Sequence, residues 1–407
     1  MLDFVHSMPI RERRAIERVR SGLRVAEGAT RDSFVVPSES GRSLHNVRLV
    51  EPPGPVETCD CEDFEARQAP CFHIYVVRHW LSGDLDLPRI TKRDWRAYDQ
   101  SQTQEYAIFR RLLLDLAKGF PEPFKDPLRA GRKPIPLMEQ AYWAVQRSYL
   151  GFSLRRSHDF RVQSVKQGLL DDPHYYALTS HFLCRSDVRE GLHDMLARSA
   201  LPLVAVEDRC AIDSTGLRTT RFNYYRKEKY EPSRENDWRK LHALVGVKTH
   251  VIPVLEVTAG SANDSPQFPI LLKRAHDCGF SFKEVYADKA YQGRQNFNMA
   301  DELDVLPFIP FKRNQTGESK GSPLYHKMFW YAKLHREEFD LHYGQRAQVE
   351  STFGSIKQKF SETLSSKKFD SQYNEVLCVA IAHNITVLVR QMFEVNLLPE
   401  FLQPTTT

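Results

Sequence analysis

Cys59-Asp-Cys61 followed by Cys71-Phe-His73 puts three thiols and an imidazole into one short window, and no other feature restricts the fold of this chain so tightly. Zinc takes four soft or borderline ligands at fixed distances, so this set can close a tetrahedral Cys₃His site. Upstream stand two β-prone runs, Ser33-Phe-Val-Val-Pro37 and Val47-Arg-Leu-Val50, with Gly41 and serines between them as a hairpin turn. Downstream an apolar helix is expected from Ile74. A module of fewer than roughly 70 residues buries little core, so the metal would supply folding energy. The alternative is three thiols in a core with no ligand role. Seven cysteines is an odd number, which in an intracellular setting argues against a disulfide framework.

The hairpin, the Cys-x-Cys-x₉-Cys-x-His spacing, Asp63-Phe64 in the spacer and the helix that follows together resemble a SWIM zinc finger. The resemblance implies one structural Zn²⁺ on Cys59, Cys61, Cys71 and His73, and binding of DNA or protein rather than chemistry.

With 407 residues, 41% hydrophobic and 27% charged, the chain suits a globular protein of two or three domains. Lys and Arg total 57 against 52 Asp and Glu, so attraction to polyanions is mild and depends on clustering. No signal-like stretch precedes Arg11-Glu-Arg-Arg14. The longest apolar run, Val376 to Val389, is broken by His383, Asn384 and Thr386 and falls short of the ~20 residues of a membrane span. A cytoplasmic, nucleoid-associated protein without a membrane partner is expected.

Along the chain, 1–27 reads as an amphipathic helix with a basic face, solvated or set against phosphates, and 28–83 as the zinc module. Residues 84–136, with Pro88, Pro121, Pro123, Pro127, Pro134 and Pro136, read as a linker holding one helix from Thr103 to Gly119. Residues 137–200 are helical: a run from Gln140, then Arg155 to Leu170, then Asp187 to Ser199. They form either a helix-turn-helix-like DNA-binding unit or a packing platform. From 201 to 395 a mixed α/β sheet with flanking helices is expected, followed by a tail, 396–407. Its strands are Val204-Ala-Val206, Cys210-Ala-Ile212, Arg221 to Tyr225, Leu241 to Lys248, Val251 to Thr258, Glu284 to Ala287 and Val305 to Pro310.

Two of these strands end in an aspartate, Asp213 and Asp288, and a third carboxylate, Glu350, lies in Tyr343-Gly-Gln-Arg346-Ala-Gln-Val-Glu350-Ser-Thr-Phe-Gly-Ser-Ile-Lys357. On one helix, Tyr343, Arg346, Glu350 and Lys357 share a stripe beside the apolar Val349, Phe353, Ile356 and Phe360. That stripe alone is equally a solvated face. Carboxylates from strand ends and a packed helix can converge, and three of them repel unless divalent cations bind. Hard oxygen ligands favour Mg²⁺ or Mn²⁺, and a two-metal site suits phosphoryl transfer on nucleic acid.

Asp213-Ser-Thr, Ala287-Asp288-Lys-Ala-Tyr291 and Tyr343-x₂-Arg346-x₃-Glu350-x₆-Lys357 resemble the three signatures of bacterial insertion-sequence DDE transposases of the Tyr-Arg-Glu-Lys group. Trp238-Arg-Lys-Leu-His242 and Asn263-Asp264-Ser265 add to the likeness, which spans about 203 to 393. It implies an RNase H-like catalytic domain with Asp213, Asp288 and Glu350 as catalytic ligands of two Mg²⁺ (or Mn²⁺) ions. Tyr343, Arg346 and Lys357 would then contact the DNA backbone. The partners would be double-stranded DNA, as element ends and target, with the protein a homodimer or higher on DNA. Clustered cations support a DNA track: Arg218, Arg221, Arg226, Lys227, Lys229, Arg234, Arg239 and Lys240, then Lys312, Arg313, Lys320, Lys327 and Lys333. Of Phe329, Trp330 and Tyr331, one ring is free to stack on an unpaired base and two are expected in the core. The alternatives are a transposase-derived regulator without catalysis and a nonspecific nuclease. The zinc module is an addition to the group's pattern. Only 61 residues separate Asp288 from Glu350, too few for a large inserted β-domain.

Overall fold

The computed structural model describes residues 9–20, 23, 25–27, 30, 32–38, 44–50, 56–82, 95–122, 134–219, 238–394, 397, 399 and 401. The strand expected at Arg221 to Tyr225, the cations Arg221, Arg226, Lys227, Lys229 and Arg234, the Gly41 turn and Pro88, Pro123 and Pro127 lie outside the described residues. The chain forms two compact units, 1–94 and 95–407.

In the first unit a four-stranded antiparallel sheet runs in the order β1 (Ala26–Glu27), β2 (Ser33–Pro37), β3 (Leu44–Val50), β4 (Val56–Cys59). Strand β2 alternates buried and half-buried residues, the period-2 signature of a half-covered sheet. Helices α1 (Ile10–Arg20), α2 (Glu62–Arg67) and α3 (Phe72–Ser82) complete the unit. Helix α1 packs on α3, burying Ala15 and Ile16. Its Arg11 pairs with Asp63 of α2 at 2.8 Å, and its Glu12 with His79 of α3 at 3.2 Å. The basic helix is therefore built into the first unit.

The second unit opens with α4 (Trp95–Lys118), α5 (Leu137–Leu150), α6 (His158–Lys166), α7 (Leu178–Leu183) and α8 (Arg189–Ala200). Helix α4 is eight residues longer at its start than the sequence suggests, and it buries Phe109, Leu112, Leu113 and Leu116. The surrounding prolines conceal a core helix. Helix α5 is buried nearly all round, and eleven residues separate α6 from α7, against the three or four of a helix-turn-helix. Val204-Ala-Val206 forms turns after a short 3₁₀ segment rather than a strand.

The sheet of this unit has the order β7-β6-β5-β8-β9. Strands β5 (Arg209–Arg218), β6 (Trp238–Gly246) and β7 (Val254–Ala259) are antiparallel. Strands β8 (Glu284–Ala287) and β9 (Leu306–Phe308) continue parallel to β5. Helix α9 (Gln267–Asp277) links β7 to β8, and α10 (Arg294–Glu302) links β8 to β9, as parallel pairing requires. Helices α11 (Pro323–Leu334) and α12 (Arg336–Tyr343) follow, neither anticipated from sequence. Then come a 3₁₀ turn (Gly344–Arg346), α13 (Ala347–Phe360) and α14 (Phe369–Glu394).

Helix α14 is longer than the apolar run that marks it. It is the one described helix long and apolar enough to cross a membrane, but 72% of its most apolar stretch is buried in the unit. The polar residues that interrupt it are interior hydrogen-bonders. Asn384 accepts from Ile252 N at 2.8 Å and donates to Ile252 O at 2.7 Å; Asn374 donates to the Leu183 and Arg185 carbonyls; His383 Nε2 donates to His250 O. A helix with such bonds belongs in a protein core.

Three buried histidines make this unit acid-sensitive. His193 is pushed down to about 3, and His242 and His383 to about 4, each first by burial. The unfolded chain takes up these protons near pH 6.5 while the native state refuses them. Their contribution is full above pH 6.5 and is lost as pH falls toward about 4. With three groups the loss approaches about 4 kcal/mol per pH unit. Urea titrations between pH 7 and 4.5 should give this slope, and His383→Gln should reduce it by about one proton.

Candidate active site and candidate metal centre

Strand β5 carries Asp213 at its fifth position, one residue beyond the last parallel pair, Ile212↔Ala287. Asp288 is the first residue after β8, so it takes the matching position on the neighbouring strand, about 4.8 Å away across the ladder. Alternation along each strand then turns both carboxylates to one face. The sequence placed Asp213 at a strand end. In fact β5 runs on to Arg218, paired with β6, and Asp213 marks only the end of the parallel pairing. Asp213 Oδ1 accepts the Ser214 N–H at 2.8 Å, and Asp288 Oδ1 accepts the Ala290 N–H at 3.0 Å, capping the 3₁₀ turn Lys289–Tyr291.

The Tyr343–Lys357 stretch is not one helix. Tyr343 ends α12, Gly344–Arg346 is a 3₁₀ turn, and Glu350 and Lys357 lie on α13. Backbone angles stay in the right-handed helical region throughout, but the tighter turn rotates Tyr343 and Arg346 relative to α13. That turn lies against β5 and β8. It delivers the Arg346 guanidinium between two carboxylates: Nη1 donates to Asp213 Oδ2 at 2.6 Å, and Nη2 to Glu350 Oε1. Asp213 and Arg346 keep only 18% and 19% side-chain exposure, whereas Glu350 keeps 58%. Burial raises the Asp213 carboxyl, the Ser214 N–H and Arg346 oppose the rise, and Asp288 and Glu350 add to it. Asp288 and Glu350 thus both bear on Asp213 electrostatically. Beside them the Tyr343 ring lies 5.9 Å from the Arg346 guanidinium, and its phenol is raised by burial. Lys357 is half-buried two turns along α13, with no ion pair among the described residues.

Several expected DNA-track cations are engaged elsewhere. Arg239 is buried, donates to Gln372 at 2.7 Å and lies over the Phe369 ring. Lys240 pairs with Asp264 and Arg218 with Glu362. Phe329 is buried and Tyr331 half-buried, while Trp330 is 46% exposed.

In the first unit, β4 delivers Cys59, Cys61 precedes α2, Cys71 precedes α3, and His73 is the second residue of α3. All four are buried, and their ligand atoms lie within 4.8 Å of one another. His73 Nδ1 is 3.7 Å from Cys59 Sγ and 3.8 Å from Cys71 Sγ. A tetrahedron with metal–sulfur bonds of about 2.3 Å has edges of roughly 3.5 to 3.8 Å, so the donors fit a tetrahedral ion. The Cys71 thiol is pushed down to about 4, first by its hydrogen bond from Cys59 and then by His73, while Cys59 is pushed well up by the same contact and by burial. Around the ligands, the His45 ring lies tilted against His73 with centroids 4.2 Å apart, and its Nδ1 meets Asp60 Oδ1 at 3.1 Å. Asp60 also accepts the Asn46 N–H at 3.0 Å, locking the knuckle between Cys59 and Cys61.

The second unit is thus a mixed sheet with flanking helices in which Asp213 and Glu350 share the Arg346 guanidinium. Residues 205–385 match the family model of the transposase DDE domain, which supports a DDE transposase. No solved structure matches the chain.

Proposed function

We propose that the chain is a DNA transposase that binds terminal inverted repeats, cleaves a 3′ phosphodiester bond and joins the freed 3′-OH to target DNA. The observation that carries this reading is the Arg346 guanidinium shared by Asp213 and Glu350, with Asp288 at the matching position of the neighbouring strand, all inside the transposase match. The sheet order, with three antiparallel strands followed by two parallel ones, supports an RNase H-like catalytic domain over 201–395. The donor set fits hard divalent cations: oxygen ligands only, with the Asp213 carboxyl raised by burial and further by Asp288 and Glu350, and Arg346 bridging Asp213 and Glu350. Asp213, Asp288 and Glu350 would hold two Mg²⁺ or Mn²⁺ ions, which activate the attacking oxygen and stabilise the leaving one.

The protein's own groups orient the DNA. Arg346, whose two Nη atoms are held by Asp213 and Glu350, would turn its fork to phosphate oxygens where cations take those carboxylates, and Tyr343, its phenol raised by burial, is able to donate to another. Lys357 stands about 10 Å along α13 from Glu350, far enough to hold a phosphate without displacing a cation. Lys357→Ala is expected to weaken binding to labelled ends by about tenfold and to lower the salt slope of binding by about one. Fluorescence anisotropy over a salt series measures both.

Residues 28–83 act as a SWIM-like module holding one structural Zn²⁺ and recognising element ends. The protein works in the cytoplasm at the nucleoid, as a dimer or higher assembly on DNA. A labelled-end cleavage assay with Mg²⁺ tests the whole reading. Cutting of any duplex, without preference for inverted-repeat ends, would instead indicate a nonspecific nuclease. Specific end binding without cutting would indicate a regulator.

A further inference from the structure

On the face of the sheet opposite Asp213, β6 presents Lys240 and His242, which pair in register with Gly216 and Ser214 of β5. Lys240 Nζ donates to the Ala262 carbonyl at 2.8 Å and pairs with Asp264 at 3.1 Å. His242 Nε2 meets Thr258 Oγ1 at 2.8 Å and turns Nδ1 toward Asp264 Oδ1 at 3.5 Å. These bonds fix the segment that leaves β7, whose next residue is Ser265. From there the chain of contacts crosses to the other strand. Asn296 Nδ2 donates both to Ser265 Oγ at 3.1 Å and to the Tyr291 carbonyl at 2.7 Å. Tyr291 N donates to the Asp288 carbonyl at 2.9 Å, closing the turn that Asp288 caps. The Tyr291 ring is buried beside Phe268 of α9, and Asp264 and Asp213 bear on its hydroxyl electrostatically. Lys240, His242 and Asn296 are therefore joined through Asp264 and Ser265 to the backbone that aims a catalytic carboxylate. His242 and Asn296 are buried, and groups so enclosed act through what they hold.

We propose that Asp264 and Asn296, anchored by Lys240 and His242, are positioning residues that set the Asp288 carboxylate for divalent-cation binding from the far side of the sheet. This rests on the reading of Asp213, Asp288 and Glu350 as cation ligands. Outer groups that orient ligands typically contribute 10- to 100-fold to metal affinity or activity.

The test uses the full chain and the variants Asp264→Asn, Ser265→Ala and Asn296→Ala. Three readouts are taken: the Mg²⁺ concentration for half-maximal end cleavage, Mn²⁺ affinity of the DNA-free protein by electron paramagnetic resonance, and end binding in EDTA. Asp264→Asn and Asn296→Ala should raise half-maximal Mg²⁺ about tenfold or more and weaken Mn²⁺ binding in parallel, with EDTA end binding within about twofold of wild type. Ser265→Ala cuts the hydrogen bond that joins the Asp264 segment to Asn296 and should shift both about as far as Asp264→Asn. The Ser265→Ala/Asn296→Ala double variant should match Asn296→Ala, because one amide serves both partners. Melting curves identify any variant that fails to fold; should Asn296→Ala fail, Ser265→Ala and Asp264→Asn decide. Wild-type Mg²⁺ dependence and Mn²⁺ affinity in the folded variants would overturn the inference alone. A wild-type chain that neither binds Mn²⁺ nor cleaves would remove the functional reading and the inference together.

Discussion

Asp213→Asn, Asp288→Asn and Glu350→Gln are each expected to lower end cleavage by at least roughly 10³-fold, the rate equivalent of the several kcal/mol that divalent cations supply to phosphoryl transfer. Each replacement keeps the side chain's shape and removes one negative charge, so packing around β5, β8 and α13 should be preserved. Asp213→Asn leaves Arg346 paired with Glu350 alone, and Glu350→Gln leaves it with Asp213. Neither strands the guanidinium. End binding in EDTA should be equal to wild type or tighter in all three, because a carboxylate repels phosphate. This combination separates loss of chemistry from loss of fold. Cleavage by any one variant at the wild-type rate would refute the assignment of that carboxylate, and weakened EDTA binding would indicate that it holds structure instead.

The two aspartates were legible because short apolar strands that stop at an acid leave a local mark. Asp288 matches that mark fully. For Asp213 the run of apolar residues ends where the parallel partner ends, yet the strand continues through Ser214-Thr-Gly216 against β6. Polar residues on a half-exposed strand look like a loop in sequence. The break of Tyr343–Lys357 into helix, 3₁₀ turn and helix was not legible, since every residue there keeps right-handed angles and Gly344 alone hints at it. Arg346 looked like a phosphate ligand from its type, and only the packing of the turn on β5 and β8 brings it between Asp213 and Glu350. Helix α4 was cut short because Trp95 to Gln102 is polar and preceded by prolines. Its buried face comes from contact with α14, nearly 270 residues away, and no local pattern encodes that. Arg239 and Lys240 counted as cations in a basic cluster, but strand alternation sends Arg239 onto Phe369 and Lys240 onto Asp264.

Removing zinc from the intact chain, or replacing Cys71 with Ser, should unfold the first unit while the second keeps its cooperative transition. Among the described residues the first unit's buried apolar set is small: Ala15, Ile16, Val25, Phe34, Val36, Val47, Phe64, Phe72, Ile74, Val76 and Val77, with Cys59, Cys61 and Cys71 packed among them. A core of this size supplies only about 3 to 5 kcal/mol, against the roughly 10 to 16 kcal/mol apparent binding energy of a structural zinc site. The ligands tie β4, α2 and α3 to one point, so their loss releases the knuckle, and with it the Asp63 contact to Arg11 that fastens α1. Purified protein should contain one zinc per chain. Hydrogen exchange should then show amides in 33–37, 44–50 and 72–82 losing protection on chelation by at least about 10³-fold, with 209–218 and 369–394 unchanged. Cys184→Ser, at an exposed cysteine of the second unit, serves as the control and should retain both zinc and protection. Protection persisting in the first unit after complete removal of metal would show that its apolar core suffices and that the four ligands are only a cluster of buried thiols and an imidazole.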